Sequence, residues 1–289
     1  MTVLRPIKKR LSPPTSSKVE SKLALSRPEE SFFEQVQESV QITTGVDLNW
    51  TMGRPNEAQL ALMNRYKPKG LADYQAEELV TIPWLASHTL MQHGGGVWSP
   101  EALMEMAYGS PGCPVLLDHD WDDTSASVGF IFNAHVLALD TKSIESSPEL
   151  EEIMWASAGQ YVTNNLDVIK RNGGAYLMIL ETAHEANSSF VSDVRFNRVR
   201  SCSTGCLLAS EESYVCPICT DQQGEYIPFS DESCEHLINS PYLAWFVDVD
   251  DPEIQERISP YVIKHGISDM IEVSAVSVPG LPGARRLEG

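Results

Sequence analysis

Two closely spaced pairs of metal-binding residues flank a short polar segment in the last third of the chain. Cys216 and Cys219 are separated by two residues, and Cys234 and His236 follow after a spacer of fourteen residues. Two thiolates at this spacing can bind one ion from a single tight turn, and a second pair across a loop completes a tetrahedron. The pattern predicts a closed Cys₃His structural zinc site, in which no position stays open for a catalytic water.

The chain has six cysteines, so other interpretations of this cluster stay open. Cys202 and Cys206 could replace Cys234 and His236 as partners of the first pair, or the thiols could be buried without a metal. Cys113 is isolated, which is typical of a small core residue. The N-terminus lacks the apolar segment of a secretory signal, and metal binding is therefore favoured over disulfides.

Charge is distributed unevenly along the 289 residues. Residues 1–28 contain seven Lys/Arg and one acidic residue, whereas the whole chain has a net charge of −19. We therefore predict a flexible basic arm over residues 1–30, which stays solvated, docks on an acidic partner or is removed by proteolysis. The acidic remainder argues against direct binding of nucleic acid, and no run of 18 apolar residues predicts a membrane-spanning helix.

Hydrophobic residues make up 42% of the chain, which is enough for a folded core. We predict a helical N-terminal extension over 31–80, a core over 81–285 that contains a zinc loop at about 202–236, and a tail over 286–289. Asn56 and the Ser99-Pro100 pair favour helix starts. Short apolar runs predict strands at 81–90, 113–117, 127–138, 191–208 and 270–278.

Three residues that are far apart in the sequence supply the groups of a serine-hydrolase site. His119 lies between two aspartates at a predicted strand end, Ser203 precedes Gly205 by two residues, and Glu272 lies on the last predicted strand. A serine hydroxyl becomes a nucleophile when a histidine removes its proton, and a third group fixes the histidine tautomer. A glycine near the serine lets a backbone amide approach an oxyanion. Spacing alone does not identify an enzyme, because each residue is common in loops and strands.

The order of these motifs resembles the prohead, or head maturation, serine proteases of tailed phages. The resemblance covers about residues 80–285. It depends on GGGVWSPEAL at 94–103, GCPVLLDHD at 112–120, SVGFI at 127–131, STG at 203–205 and EVSAVSVPG at 272–280. Some members of that family carry a Cys/His insertion between the last two motifs, where the zinc pattern of this chain falls. Thr204, Cys206 and Gly280 depart from the residues that the family usually has.

The resemblance implies an α+β fold with a compact β-barrel-like core and flanking helices, similar to the herpesvirus assemblins. It implies that His119 is the general base, that Ser203 is the nucleophile and that Glu272 is the third, orienting member.

Alternatives to two of these assignments stay open. His184 and His265 are alternative third members, because the assemblin-like triad uses a second histidine. Ser201 is an alternative nucleophile.

Two functions are compatible with this pattern. The first is a serine endopeptidase of phage head maturation, which cleaves scaffold and capsid-protein extensions and also itself. The second is a catalytically silent virion structural protein, at the neck or on the capsid, that keeps the protease-derived fold and a structural zinc. Either function implies phage capsid and scaffold proteins as partners, a homo-oligomer or virion assembly, and a location in the prohead or virion after assembly in the host cytoplasm.

Overall fold

A computed structural model describes residues 40–44, 50–67, 70–90, 92, 96–139, 168–170, 172–234, 236–238, 244–246, 262–277 and 284–287. For 40–44, 236–238 and 244–246 it describes the backbone alone. The basic arm predicted over residues 1–30 lies outside the described residues. Of the extension predicted over 31–80, the described part contains one strand and one helix before the barrel begins.

The described elements are mostly strands. In chain order these are β1 Val40–Thr44, β2 Leu79–His88, β3 Gly96–Trp98, β4 Pro114–Leu117, β5 Gly129–Leu139, β6 Ala175–Glu185, β7 Ser201–Leu208, β8 Tyr214–Thr220, β9 Tyr226–Pro228, β10 His236–Ile238, β11 Ala244–Phe246, β12 Val262–Lys264, β13 Ile267–Val276 and β14 Arg285–Arg286. The longer helices are α1 Glu57–Tyr66, α2 Pro100–Gly109 and α3 Ser189–Arg195.

Seven of the described strands close into a barrel. The order around the ring is β5, β4, β13, β7, β14, β2 and β6, and β6 pairs again with β5. Strand β1 adds to the outside of this ring as a parallel neighbour of β5. The prediction of an α+β class with a barrel-like core is therefore confirmed.

The barrel core follows from strands that are apolar on both faces. All ten residues of β2 are buried. Alternate positions such as Ile82 and Trp84 share one cluster with Met106 of helix α2, whereas Leu85 packs with Ile179 in a second cluster. Because side chains alternate across a strand, a strand of this kind fits only between two packed layers.

The two predicted helix starts are confirmed by their caps. The Asn56 side chain accepts a hydrogen bond from the backbone N–H of Gln59, whose own side chain returns a bond to the Asn56 backbone. Ser99 accepts from the N–H of Ala102, and Pro100 occupies the first turn of α2. These contacts satisfy backbone groups that a helix start otherwise leaves without partners.

Two boundaries differ from the sequence prediction. The strand predicted over 191–208 is a helix followed by a strand, because Ser188 caps α3 and the helix buries Val191 and Val194 on one side. The zinc loop predicted to start at about 202 therefore starts after β7, which is a barrel strand.

The tail predicted over 286–289 also needs a correction, because it begins inside the barrel. Arg285 pairs with both Leu85 and Ser201, and Arg286 pairs with Trp84, so that β14 fills the gap between β2 and β7. The Arg286 guanidinium donates to the backbone oxygen of Val194 at 2.8 Å, at the end of α3. These contacts fix the segment in place.

A smaller sheet lies beside the barrel in the order β3, β12, β8, β9 and carries the first cysteine pair. The short hairpin of β10 and β11 follows Cys234. Among the described residues, no helix is long and apolar enough to cross a membrane.

Candidate functional site

His119 lies in a tight turn directly after β4. Asp118 and His119 both have positive φ angles, of 49° and 58°. Left-handed backbone is uncommon outside glycine, and it persists only where the surrounding contacts hold it. Here the Asp118 N–H donates to the Ala275 oxygen and the Asp120 N–H donates to the Leu117 oxygen. The turn directs His119 back over strand β13.

The His119 ring binds the carboxylate of Glu272. Its Nδ1 lies 2.7 Å from Glu272 Oε1. Ser274 donates to the other carboxylate oxygen at 2.6 Å, and its hydroxyl accepts the backbone N–H of His119 at 3.0 Å. Glu272 and Ser274 are fully buried, whereas the His119 side chain is 40% exposed. A buried carboxylate needs such partners, and its position fixes the tautomer in which Nδ1 carries the proton.

Ser203 is placed on the same face by strand register. In the antiparallel pair of β7 and β13, Ser203 is opposite Ser274 and Gly205 is opposite Glu272. Directly opposed side chains share a sheet face, with Cβ atoms about 5 Å apart. Ser203 is half-buried, and no hydrogen bond joins it to His119 in the described structure. The structure thus brings His119 and Glu272 together and places Ser203 beside them.

The absence of a side chain at Gly205 makes room for the carboxylate of Glu272. A Cβ at this position would overlap the Oε1 atom and the side-chain carbons of Glu272. This steric requirement comes in addition to the predicted approach of a backbone amide to an oxyanion, which stays a prediction.

The alternative third members do not reach this site. His184 is buried, with Nδ1 2.8 Å from the Val128 oxygen and Nε2 2.7 Å from Thr182 Oγ1. Burial lowers the pKa of His184 to about 4, so it is neutral at neutral pH. His265 Nδ1 lies 2.9 Å from the hydroxyl of Ser99, the cap of α2.

Ser201 is the alternative nucleophile. It is opposite Val276 on β13 and opposite Arg285 on β14. These partners place it farther along β7 from Glu272 than Ser203 is.

The thiols near Glu272 are poor nucleophiles. Burial raises the pKa of Cys113 to about 12 and the pKa of Cys206 to about 11, and the charge of Glu272 adds to both effects. The pKa of Cys202 is also raised, mainly by burial. Because a thiolate is the reactive form, these side chains stay protonated and inert at neutral pH. A hydroxyl is the better candidate nucleophile here.

Three of the four predicted metal ligands meet in one cluster. The sulfur atoms of Cys216, Cys219 and Cys234 lie within 4.8 Å of one another. The N–H of Cys219 donates to the sulfur of Cys216 at 3.4 Å. Thiolates at 2.3 Å from one tetrahedral ion are about 3.8 Å apart, so these three residues fit a bound metal ion. None of the six cysteines forms a disulfide.

The fourth ligand and the rival set have different outcomes. His236 begins strand β10 two residues after Cys234, and its side chain lies outside the described part of the chain. The rival set is wrong within the described structure, because Cys202 and Cys206 belong to barrel strand β7 and do not join the cluster. Cys202 instead packs in the barrel core and its thiol points to the Leu85 oxygen.

A second histidine–glutamate pair was not predicted. His135 Nε2 lies 3.0 Å from Glu181 Oε2, and the two side chains are only 9% and 11% exposed. Glu181 also accepts from Gln59 at 2.6 Å and from Asn133 at 2.7 Å. Burial alone would raise the pKa of Glu181, but the bonds from His135, Asn133 and Gln59 lower it overall. The sequence signal for this pair was one polar residue within each of two long apolar strands, His135 in β5 and Glu181 in β6.

Sequence reasoning also missed the role of Ser274. The signal was present, because Ser274 follows Glu272 by two residues and therefore lies on the same face of a strand.

No family model, curated protein or solved structure matches this chain.

Proposed function

We propose that the chain is a serine endopeptidase in which His119 activates Ser203 and Glu272 orients His119. The observation that carries the proposal is the 2.7 Å contact between His119 Nδ1 and a fully buried Glu272. This contact leaves Nε2, the outer nitrogen of a partly exposed ring, as the proton acceptor. That is the arrangement a general base requires.

The proposed reaction uses the hydroxyl of Ser203. His119 Nε2 takes the hydroxyl proton while Ser203 Oγ attacks the peptide carbonyl carbon. The C–N bond then breaks, the departing amine receives the proton from Nε2, and an ester on Ser203 remains. Water hydrolyses this ester with His119 again as base, and the free serine is restored. The hydrogen bond between Ser203 and His119 forms when substrate binds, as is common in enzymes of this type.

The resemblance to head maturation proteases supplies the proposed substrate. Scaffold and capsid-protein extensions in an immature phage head, and the chain itself, are the polypeptides to be cut. The residues that carry the resemblance at 112–120 and 272–280 include the His119 turn and the Glu272 strand, so the motif and the geometry support one proposal.

The test is labelling with a fluorophosphonate, which needs no knowledge of the substrate. The serine oxygen forms a bond to phosphorus as fluoride leaves, and the base takes the hydroxyl proton. Intact mass is followed over time for the wild type, Ser203→Ala and Ser201→Ala. We expect one adduct on the wild type and on Ser201→Ala, mapped to Ser203, and none on Ser203→Ala.

Incubation without the reagent completes the test. Fragments from the wild type that are absent with Ser203→Ala would show self-cleavage and locate the cut sites. Folded wild type that takes up no reagent and keeps one mass, both alone and with capsid and scaffold proteins, would overturn the proposal. That outcome would favour the silent virion structural protein.

We further propose that the three-cysteine cluster binds a structural zinc ion, with His236 as the fourth ligand. Soft thiolates and an imidazole in a tetrahedron suit zinc, and four protein ligands leave no position for catalysis. The segment around the cluster is largely exposed and polar, so burial alone provides little stability there.

The zinc proposal predicts that Cys219→Ser loses the metal and lowers the melting temperature. Metal content is measured on purified protein, with Cys113→Ser as the matched control, because Cys113 donates to the Gly109 oxygen outside the cluster. The control should keep one zinc per chain. Unchanged metal content and melting in Cys219→Ser would refute the assignment.

A further inference from the structure

We infer that Ser274 is a positioning residue that joins the base to its carboxylate, an inference that rests on the proposed function. Its hydroxyl has one proton and accepts through its lone pairs. The proton goes to Glu272 Oε2 at 2.6 Å, and a lone pair accepts the His119 N–H at 3.0 Å. One hydroxyl therefore holds the side chain of one site residue and the backbone of another.

Each of these two bonds fixes a separate degree of freedom. The bond to Oε2 leaves Oε1 as the oxygen that faces the His119 ring, so it sets the rotation of the carboxylate. The bond from the His119 N–H holds a backbone whose φ of 58° is unfavourable for a non-glycine residue. Without the hydroxyl, the turn could relax to a more ordinary conformation and carry the ring away from Glu272.

Exposure distinguishes Ser274 from the nucleophile. The two serines are opposite each other in the register of β7 and β13. Ser274 is 0% exposed, whereas Ser203 is half-buried. A fully buried hydroxyl that already donates to a carboxylate cannot reach a substrate, so Ser274 acts through His119 and Glu272.

The experiment measures fluorophosphonate labelling of Ser203 in Ser274→Ala and Ser274→Thr. The limiting labelling rate reports on activation of the nucleophile, and the half-saturating reagent concentration reports on binding. We expect Ser274→Ala to lower the limiting rate about 10²-fold with little change in half-saturation, because the base is misplaced but the surface is intact. Ser274→Thr keeps the hydroxyl and should recover most of the rate.

The matched control is Ser87→Ala. Ser87 is also 0% exposed, and its hydroxyl has no hydrogen-bond partner in the described structure. The Ser87→Ala substitution removes an equally buried oxygen from the same barrel, so the labelling rate of this variant should equal that of the wild type. Equal rates for Ser274→Ala and the wild type would overturn the inference, as would failure of folded Ser274→Thr to recover the rate.

A second measurement separates this inference from the proposed function. Nitrogen-15 NMR of the His119 ring identifies the protonated nitrogen without any reaction. We expect the Nδ1-protonated tautomer in the wild type and a mixture of tautomers in Ser274→Ala. If the wild type takes up no reagent and cleaves neither itself nor capsid and scaffold proteins, the protease proposal fails, and the tautomer of His119 still decides the role of Ser274.

Discussion

The barrel contains two histidine–glutamate pairs that share their chemistry and differ in their surroundings. In the first, Glu272 accepts from His119 and Ser274, and the His119 ring is 40% exposed. In the second, Glu181 accepts from three side chains and His135 is 9% exposed, with the Trp50 ring against it at 4.4 Å.

The difference shows what separates a base from a structural contact. An imidazole held by a carboxylate becomes a general base when its other nitrogen can reach a substrate. The proposed function assigns this role to His119, whose ring is partly exposed because it lies in a turn at the end of a strand. His135 lies within strand β5, where its ring is covered, and its pair with Glu181 instead satisfies polar groups that are buried between the strands and helix α1.

Replacement of the exposed histidine should have the largest effect on activity. We expect His119→Ala to lower the rate of Ser203 labelling by about 10²–10⁴-fold, which is the usual contribution of general-base catalysis. The melting temperature should fall only modestly, because Ser274 still donates to the buried carboxylate of Glu272. His265→Gln serves as the control, because His265 contacts the cap of α2 and should leave labelling unchanged.

Replacement of the covered histidine, His135, should lower the stability of the fold and leave the labelling rate unchanged. We expect His135→Ala to reduce the free energy of unfolding by about 1–3 kcal/mol, because it removes a hydrogen-bond partner from the buried carboxylate of Glu181. Urea unfolding measures this change, and the protein that remains folded should label at the wild-type rate. A stable His135→Ala variant that does not label would remove the distinction between the two pairs.

The glycine opposite Glu272 offers a more local change to the first pair. We expect Gly205→Ala to displace the carboxylate and slow labelling about 10²-fold, with modest destabilisation from overpacking. Gly53→Ala is the matched control, because a Cβ at Gly53 meets no atom within 4 Å. Equal labelling rates in the two variants would show that Glu272 does not need its observed position.

A third histidine, His184, predicts how the stability of the fold depends on pH. Burial lowers the pKa of His184 to about 4 from an ordinary value near 6.5, so the folded state disfavours its proton. The resulting stability is fully present above pH 6.5 and is lost as pH falls toward 4. We expect a loss of about 2 kcal/mol between pH 6.5 and 5. Urea unfolding across this range measures the change, and in His184→Gln the free energy of unfolding should fall less steeply as the pH is lowered.

The sequence predicted well the features that local chemistry determines. Asn56 and Ser99 are helix caps that act within one turn of chain, and both were found where expected. The resemblance placed His119 and Glu272 in one site, and the structure brings them into contact across 153 residues.

The remainder depends on strand register, which a sequence alone does not provide. A glycine is needed at position 205 because Glu272 is its cross-strand partner. Ser274 contacts His119 because the His119 turn lies over it. The His135–Glu181 pair likewise joins two strands whose pairing was not predicted. Val191 resembled a strand start because β-branched residues are common in strands, whereas in the fold it lies in the helix that Ser188 caps.

Strand β14 sets a limit on when the barrel can close during synthesis. Arg285 completes the edge of β7 at Ser201, yet it leaves the ribosome 84 residues later. At translation rates of about 5–20 residues per second, the nascent barrel stays open for roughly 4–17 s after β7 is made. During most of that interval the strand that carries Ser203 lacks both of its neighbours, β13 and β14, so the complete site is a late product of synthesis. Under the proposed function, a site completed this late has little opportunity to cut its own emerging chain.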